Sequence, residues 1–214
     1  MHSAPATNPV GDRQTRAHLR RELRRRRRAL SARERARASR NAIDALRASG
    51  LLRRVTRIGL YWPADGELDP RPVMLLPEMR RTDFFLPVLA PVGPAQLWFA
   101  PYRSGSTRLV RNRFGIPEPV ATNAAAGRCN KALGLVLTPL VGFGAAGARL
   151  GMGAGYYDRT FAFLRHRRVW ARPWLVGLAH SSQFSHAVKP APWDVPLAAV
   201  ATERGVIWFA SGQT

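Results

Sequence analysis

Leu19, Leu23 and Leu30 fall on one face of a helical stretch over residues 13–30. Ser31 with Glu34 three positions later is a capping box that opens a second helix. Ala36, Ile43 and Leu46 give that helix its apolar stripe, and Gly50 is its C-terminal stop. Strand-like runs then occupy residues 57–62, 83–88, 96–100, 134–138, 174–179 and 198–202, with helical patterns at 72–80 and 159–167. Residues 133–137 are apolar at nearly every position, the pattern of a central parallel strand covered on both faces. Strands alternating with helices predict an α/β fold. The expected form is a single domain over residues 13–214 with a mostly parallel sheet and helices on both faces, a three-layer Rossmann-like arrangement. Residues 91–94 and 121–127 read as loops within that domain, and residues 1–12 as a disordered tail.

In such sheets ligands sit beyond the carboxyl ends of the strands. Three segments occupy that position: residues 61–69, 142–158 and 180–183. The second is glycine-rich and runs from a buried strand into a helical pattern. Strand, glycine loop and helix together make an anion site, because glycine admits close backbone approach and the helix start offers unpaired N–H groups. Arg149 adds a cation and Asp158 a metal-binding carboxylate. The loop is neither a Walker A sequence nor a dinucleotide fingerprint, since Gly151, Gly153 and Gly155 alternate and no Gly-Lys-Ser/Thr follows.

Composition narrows the function classes. The chain has 214 residues, 46% of them hydrophobic, which excludes a disordered chain. No apolar run of 18 residues occurs, so no membrane span is expected. The first residues lack the apolar core of a signal peptide, and the one cysteine, Cys129, excludes a disulfide framework; both suit a cytoplasmic setting. Thirty-four Lys and Arg against 13 Asp and Glu give a formal charge of +21, nearly all of it arginine. That charge predicts non-specific attraction to polyanions. It also leaves open a basic nucleic-acid-binding protein using residues 13–40 as an arm, although no aromatic-interleaved RNA motif is present.

The segment Pro139-Leu140, Phe143, Gly147, Arg149-Leu150-Gly151, Gly153, Gly155, Tyr156-Tyr157-Asp158 resembles the hallmark of the 5-formyltetrahydrofolate cyclo-ligases, also called 5,10-methenyltetrahydrofolate synthetases. Shorter blocks agree in order and spacing: Leu19-Arg20, residues 66–69, residues 114–119 and residues 193–197. Gly144 departs from the hallmark, which usually has Asp there.

The resemblance implies ATP as co-substrate, Mg²⁺, a folate substrate and a ring-closing ligation. It assigns the ATP phosphates to Arg16, Arg20 and the stretch Arg149, Leu150, Gly151, Met152, Gly153, Ala154, Gly155, Tyr156 and Tyr157. Arg149 and Tyr157 take catalytic roles, and Asp158 and Asp194 hold the metal. Ala64, Glu67, Asp69 and Glu118 fall where the pterin and the rest of the folate bind, with Glu67 and Asp69 left as alternatives for the pterin carboxylate. Arg16 stands where relatives usually have Lys. Tyr61, Trp62, Phe114 and Trp98 are candidates for ring stacking, and His180 and His186 are expected near the cleft without an assigned role.

Overall fold

A computed structural model describes residues 9–91, 93, 95–120, 129–166 and 172–209. The first helix, α1 (Pro9–Ala29), starts four residues before the expected position. Residues 1–8, the remainder of the expected tail, and the loop at 121–127 lie outside the described residues. Helix α2 (Ala32–Ala48) follows, and its capping box is present: Ser31 Oγ accepts from the Glu34 N–H, and Glu34 accepts from the Ser31 N–H. Gly50 adopts φ 74° just after the helix.

Seven strands form the main sheet: β1 (Arg57–Gly59), β2 (Asp83–Leu89), β3 (Leu97–Pro101), β6 (Leu135–Thr138), β9 (Trp174–Leu178), β10 (Ala199–Thr202) and β11 (Gly205–Trp208). Their order is β11-β10-β9-β6-β1-β2-β3. The inner five run parallel, and β3 and β11 close the edges antiparallel. Two small hairpins stand outside the sheet: β4 (Leu109–Arg111) with β5 (Pro117–Pro119), and β7 (Gly142–Phe143) with β8 (Arg149–Leu150).

Alternate residues of each strand face opposite sides. Ile58, Leu135, Leu137, Val176, Leu178, Ala199 and Ala201 join α2 through Ala38, Ala42, Ile43 and Leu46. Phe99, Val136, Leu175 and Val200 face the other way, onto Phe161, Val195 and Leu197. The sheet is thus covered on both faces, as a parallel sheet requires. A third cluster joins Leu19 and Leu23 of α1 to Val141, Ala148 and Leu150, docking α1 against the β7–β8 hairpin.

Several elements differ from the sequence pattern. The expected helix at 72–80 is two 3₁₀ turns, Arg71–Leu75 and Pro77–Met79. Pro77 disfavours helical geometry at the residue before it, and Leu76 is extended (φ −68°, ψ 133°). The helix expected at 159–167 is a five-residue α3 (Tyr156–Thr160) followed by a 3₁₀ turn, Ala162–His166; Arg167 lies outside the described residues. Thr160 ends it, donating to the Tyr156 carbonyl and accepting from the Leu97 N–H of β3. The edge strand β11 and both small hairpins carry no long apolar pattern. In α1 it is Arg27, not Leu30, that is buried with Leu19 and Leu23, and in α2 Ala36 is exposed.

Candidate active site

Strand β1 pairs with β2 on one side and β6 on the other, so the chain reverses its direction of winding between β1 and β6. At such a switch point the loops leaving two adjacent parallel strands diverge and open a crevice. Here that crevice is a cleft of about 1320 Å³. The turn after β1 supplies Tyr61, Trp62, Ala64, Asp65 and Glu67. The segment after β6 supplies residues 139–141, Arg149 and residues 151–159. One face of α1 adds Arg16, Arg20, Arg24 and Arg28, spaced four apart as neighbours on a helix surface must be. The β4–β5 hairpin adds Asn112, Phe114 and Glu118, and the loop before β10 adds Trp193 and Asp194.

The glycine loop is positioned from outside itself. Arg20 Nε donates to the Gly151 carbonyl at 2.9 Å. Gln183 Nε2 donates to the carbonyls of Leu140 (2.9 Å) and Val141 (3.0 Å), which props the loop from behind. Gly153 has φ 106° and Gly155 φ 66°, so the chain reaches α3 through left-handed backbone. The α3 helix is only one turn and a half long, so its dipole contributes little beyond its first N–H groups. The charge facing the loop comes instead from arginines.

Arg149 is 5% exposed. Its Nη2 lies 2.6 Å from Asp158 Oδ1, and its guanidinium stands 5.4 Å from the centre of the Tyr157 ring. Its Nε is buried with no hydrogen-bond partner among the described residues. A buried unpaired donor costs on the order of 1–3 kcal/mol, and a phosphate oxygen would satisfy it. Burial raises the Tyr157 hydroxyl well above the ordinary tyrosine range, an effect Arg149 reduces in part and Glu67 adds to. The phenol therefore stays protonated and able to donate.

The two expected metal carboxylates are both ion-paired. Asp158 Oδ1 takes Arg149 and the Val195 N–H (3.2 Å); Asp194 Oδ2 takes Arg16 Nη2 (3.2 Å) and the Ala191 N–H (2.9 Å). In each carboxylate these contacts fall on one oxygen, Asp158 Oδ1 and Asp194 Oδ2. No cluster of three or more His, Cys, Asp or Glu occurs among the described residues. Two carboxylates beside an arginine-lined glycine loop suit Mg²⁺, which is held by one or two carboxylates with phosphate oxygens and water.

At the other end, Glu67 is 12% exposed by its side chain, and its Oε2 accepts the Ala64 N–H at 3.0 Å. Burial pushes its carboxyl up to about 7, against the lowering effect of Arg27 and of the Ala64 N–H, while Asp65 adds to the rise. Glu118 Oε2 accepts from the Leu89 N–H (3.1 Å) and Asn112 Nδ2 (3.0 Å), which fastens the β4–β5 hairpin over the cleft. Phe114 stands edge-on to Tyr156 with ring centres 6.0 Å apart.

Three expected site residues, Asp69, Leu150 and Trp98, do not reach the cleft. Asp69 turns away and is held by Arg71, with contacts of 2.8 and 2.6 Å, so of the two pterin candidates the cleft receives Glu67. Leu150 is buried under α1 in β8. Trp98 packs on Val88 and Ala100 instead of lining the cleft. The segment 180–183 also stays outside; His180 pairs with Ser182 and Glu203. The pattern gave no individual role to Asp65, Arg27 or Asn112. The four-residue spacing of Leu19, Leu23 and Arg27 was the signal available for the second of these.

The 5-formyltetrahydrofolate cyclo-ligase family model matches residues 12–203. The chain is 37% identical over 151 residues to the 5-formyltetrahydrofolate cyclo-ligase of Escherichia coli K12, covering 70% of this chain and 79% of that one. It is 35% identical over 145 residues to the enzyme of the same name from Haemophilus influenzae, covering 68% and 74%. The NMR structure of Aquifex aeolicus 5,10-methenyltetrahydrofolate synthetase superposes with a TM-score of 0.73 at 30% identity, covering 93% of this chain and 95% of that one. A 5,10-methenyltetrahydrofolate synthetase from Mycoplasma pneumoniae shares the fold, with a TM-score of 0.64 at 22% identity over 88% and 98%. The chain belongs to the 5-formyltetrahydrofolate cyclo-ligase family.

Proposed function

We propose that this protein converts 5-formyltetrahydrofolate to 5,10-methenyltetrahydrofolate at the expense of ATP, releasing ADP and phosphate. The observation that carries this reading is the single cleft at the β1/β6 switch point, which joins an arginine-lined glycine loop to the buried carboxylate of Glu67. One end suits polyphosphate and the other suits the amino and ring N–H groups of a pterin.

The formyl oxygen of the substrate attacks the γ-phosphorus of ATP, and ADP leaves. The amine N10 then attacks the activated formyl carbon, loses its proton, and phosphate departs as the ring closes. A reaction of this kind asks the protein for alignment and for charge around the phosphoryl group. The backbone of residues 151–157, with Arg16 and Arg20, holds the phosphates. Arg149 faces the transferred group with a donor that the protein leaves unpaired. The protonated Tyr157 hydroxyl donates to an anionic oxygen as charge develops. Glu67 and Ala64 orient the pterin, and Glu118 braces the hairpin beside it. Asp158 and Asp194 would hold Mg²⁺, and when bound the ion would neutralise phosphate charge. A cytoplasmic site of action suits the lone Cys129, which can form no disulfide within the chain. No helix among the described residues is long and apolar enough to cross a membrane.

The test is to incubate the purified protein with 5-formyltetrahydrofolate and Mg-ATP and to follow the absorbance of the methenyl product alongside ADP. Product and ADP should rise in equal amounts. No product above a heat-killed control would refute the reading and favour a nucleotide-binding relative with altered chemistry.

A further inference from the structure

Arg27 lies within the run of five arginines from Arg24 to Arg28, yet it is 1% exposed while Arg25 and Arg26 face solvent. Its fork joins three elements. Nε donates to the Asp65 carbonyl (2.9 Å) and Nη1 to the Leu140 carbonyl (3.0 Å). Nη2 meets Asp65 Oδ2 at 2.6 Å, and Nη1 stands 3.5 Å from Glu67 Oε1. The helix α1, the turn after β1 and the end of β6 therefore meet on one guanidinium, at the switch point where the cleft opens.

The turn it holds is unusual. Asp65 has φ 52°, a left-handed backbone that only a few residue types tolerate. Arg24 (2.8 Å) and Arg28 also bind its carboxylate. Burial pushes that carboxyl up, but the hydrogen bonds from Arg24 and Arg28 and the charges of Arg27 and Arg24 win, bringing it down to about 2. Three arginines thus fix one aspartate, and the residue two positions on is Glu67.

We propose that Arg27 is a positioning residue for folate recognition. Its fork fixes the Asp65 turn and holds the Glu67 carboxylate toward the cleft, so that the carboxylate can accept paired N–H donors from the pterin. This rests on the pterin role given to Glu67 above. The groups facing Glu67 are Arg27 from α1, Asp65 from its own turn, Tyr61 from the continuation of β1, and Tyr157 from α3. Burial raises both tyrosine hydroxyls, so both are neutral. The positive charge that favours the Glu67 anion is that of Arg27. Without it the carboxyl takes up a proton at higher pH, and the acid form offers the pterin a donor where an acceptor is needed.

Steady-state kinetics of the full chain as a function of pH test this, with the wild type as reference. In Arg27→Met the KM for the folate should rise at least tenfold at pH 7, with the KM for ATP within twofold of wild type. The acid limb of kcat/KM for the folate should move up by about one pH unit, as loss of one nearby opposite charge predicts. Arg27→Lys keeps the charge but loses the fork, so it should return the limb to its wild-type position while only partly restoring KM. An unmoved acid limb, or equal effects on both substrates, overturns the proposal. Should Arg27→Met not fold, the double cycle of Arg27→Lys with Glu67→Gln decides: non-additive effects on folate KM support the coupling and additive ones overturn it. Wild-type protein without methenyl product would instead refute the function proposed above, so the two failures are distinguishable.

Discussion

Gly144 shows how one position carries both packing and chemistry. The family hallmark usually has Asp there, yet a Cβ on Gly144 would sit 2.1 Å from the carbonyl oxygen of Val188. That neighbour is backbone, fixed by the Val188 N–H bond to the Ser185 carbonyl (3.1 Å) and by the Ser185 N–H bond to the Phe143 carbonyl (2.9 Å). The chain has closed over the missing side chain. Gly144→Asp therefore restores the hallmark at the expense of stability. Overpacking of this kind costs about 1–3 kcal/mol, and at this chain length each kcal/mol lowers Tm by about 2–4 °C. Thermal unfolding should show a fall of roughly 2–12 °C. An unchanged Tm would mean that the 185–188 segment yields freely. Arg27 is one arginine among five, and only its four-residue spacing from Leu19 and Leu23 sets it apart in the sequence. Its place four residues after Leu23, on the face that docks against the hairpin, is what buries it.

At the scale of elements, the loop at residues 151–155 is the part most exposed to test. Its shape depends on left-handed backbone at Gly153, which a β-branched side chain opposes by about 1–3 kcal/mol. Gly153→Val should leave the sheet and its circular dichroism intact, because the residue is exposed and outside both cores. It should weaken ATP binding at least tenfold by calorimetry, since the backbone N–H groups no longer converge. Unchanged affinity would reduce the loop to a connector. The elements legible in the sequence were those with a repeating apolar signal: the capped α2, and the six strands near residues 57, 83, 97, 135, 174 and 199, which took part in the sheet within a few residues of the expected limits. What the pattern missed was short or locally overridden. A two-residue strand such as β7 or β8 has no period to detect, and Pro77 divided a helical pattern that was otherwise sound. Of the candidate site, the glycine loop, Glu67 and Asp194 were visible as sequence blocks. Asp69 faces Arg71 instead of the cleft because its carboxylate takes both the N–H and the guanidinium of Arg71 two residues on, an Asx-type turn that the match of sequence blocks does not distinguish from a cleft-facing carboxylate.

Over the whole molecule the formal charge is +21, and on α1 two groups of arginines contribute to it differently. Arg16, Arg20, Arg24 and Arg28 form a stripe along one face of α1 into the cleft, and Arg16 and Arg24 are already tied to Asp194 and Asp65. Arg25 and Arg26 lie on the opposite, solvated side, where Arg26 pairs with Glu22 within the same helix. Under the proposed function Arg16 and Arg20 of the first group serve the bound ATP, while Arg24 and Arg28 hold Asp65. The second adds to the long-range field and touches no part of the cleft. Any attraction of this group to polyanions should therefore be non-specific, driven by counterion release and steeply weakened by salt. Replacing Arg25 and Arg26 with Gln should weaken binding to single-stranded nucleic acid of any sequence and flatten the plot of log affinity against log salt by up to about two phosphate contacts. The same double variant should keep its KM for ATP within twofold. Arg20→Ala should do the reverse, raising the KM for ATP by releasing the Gly151 carbonyl and loosening the loop while leaving the salt slope nearly as steep. If the Arg25/Arg26 variant instead lost tight, sequence-selective RNA binding while Arg20→Ala left ATP use unchanged, the charge on α1 would serve recognition of nucleic acid, and the division of the helix into a catalytic and a solvated face would be wrong.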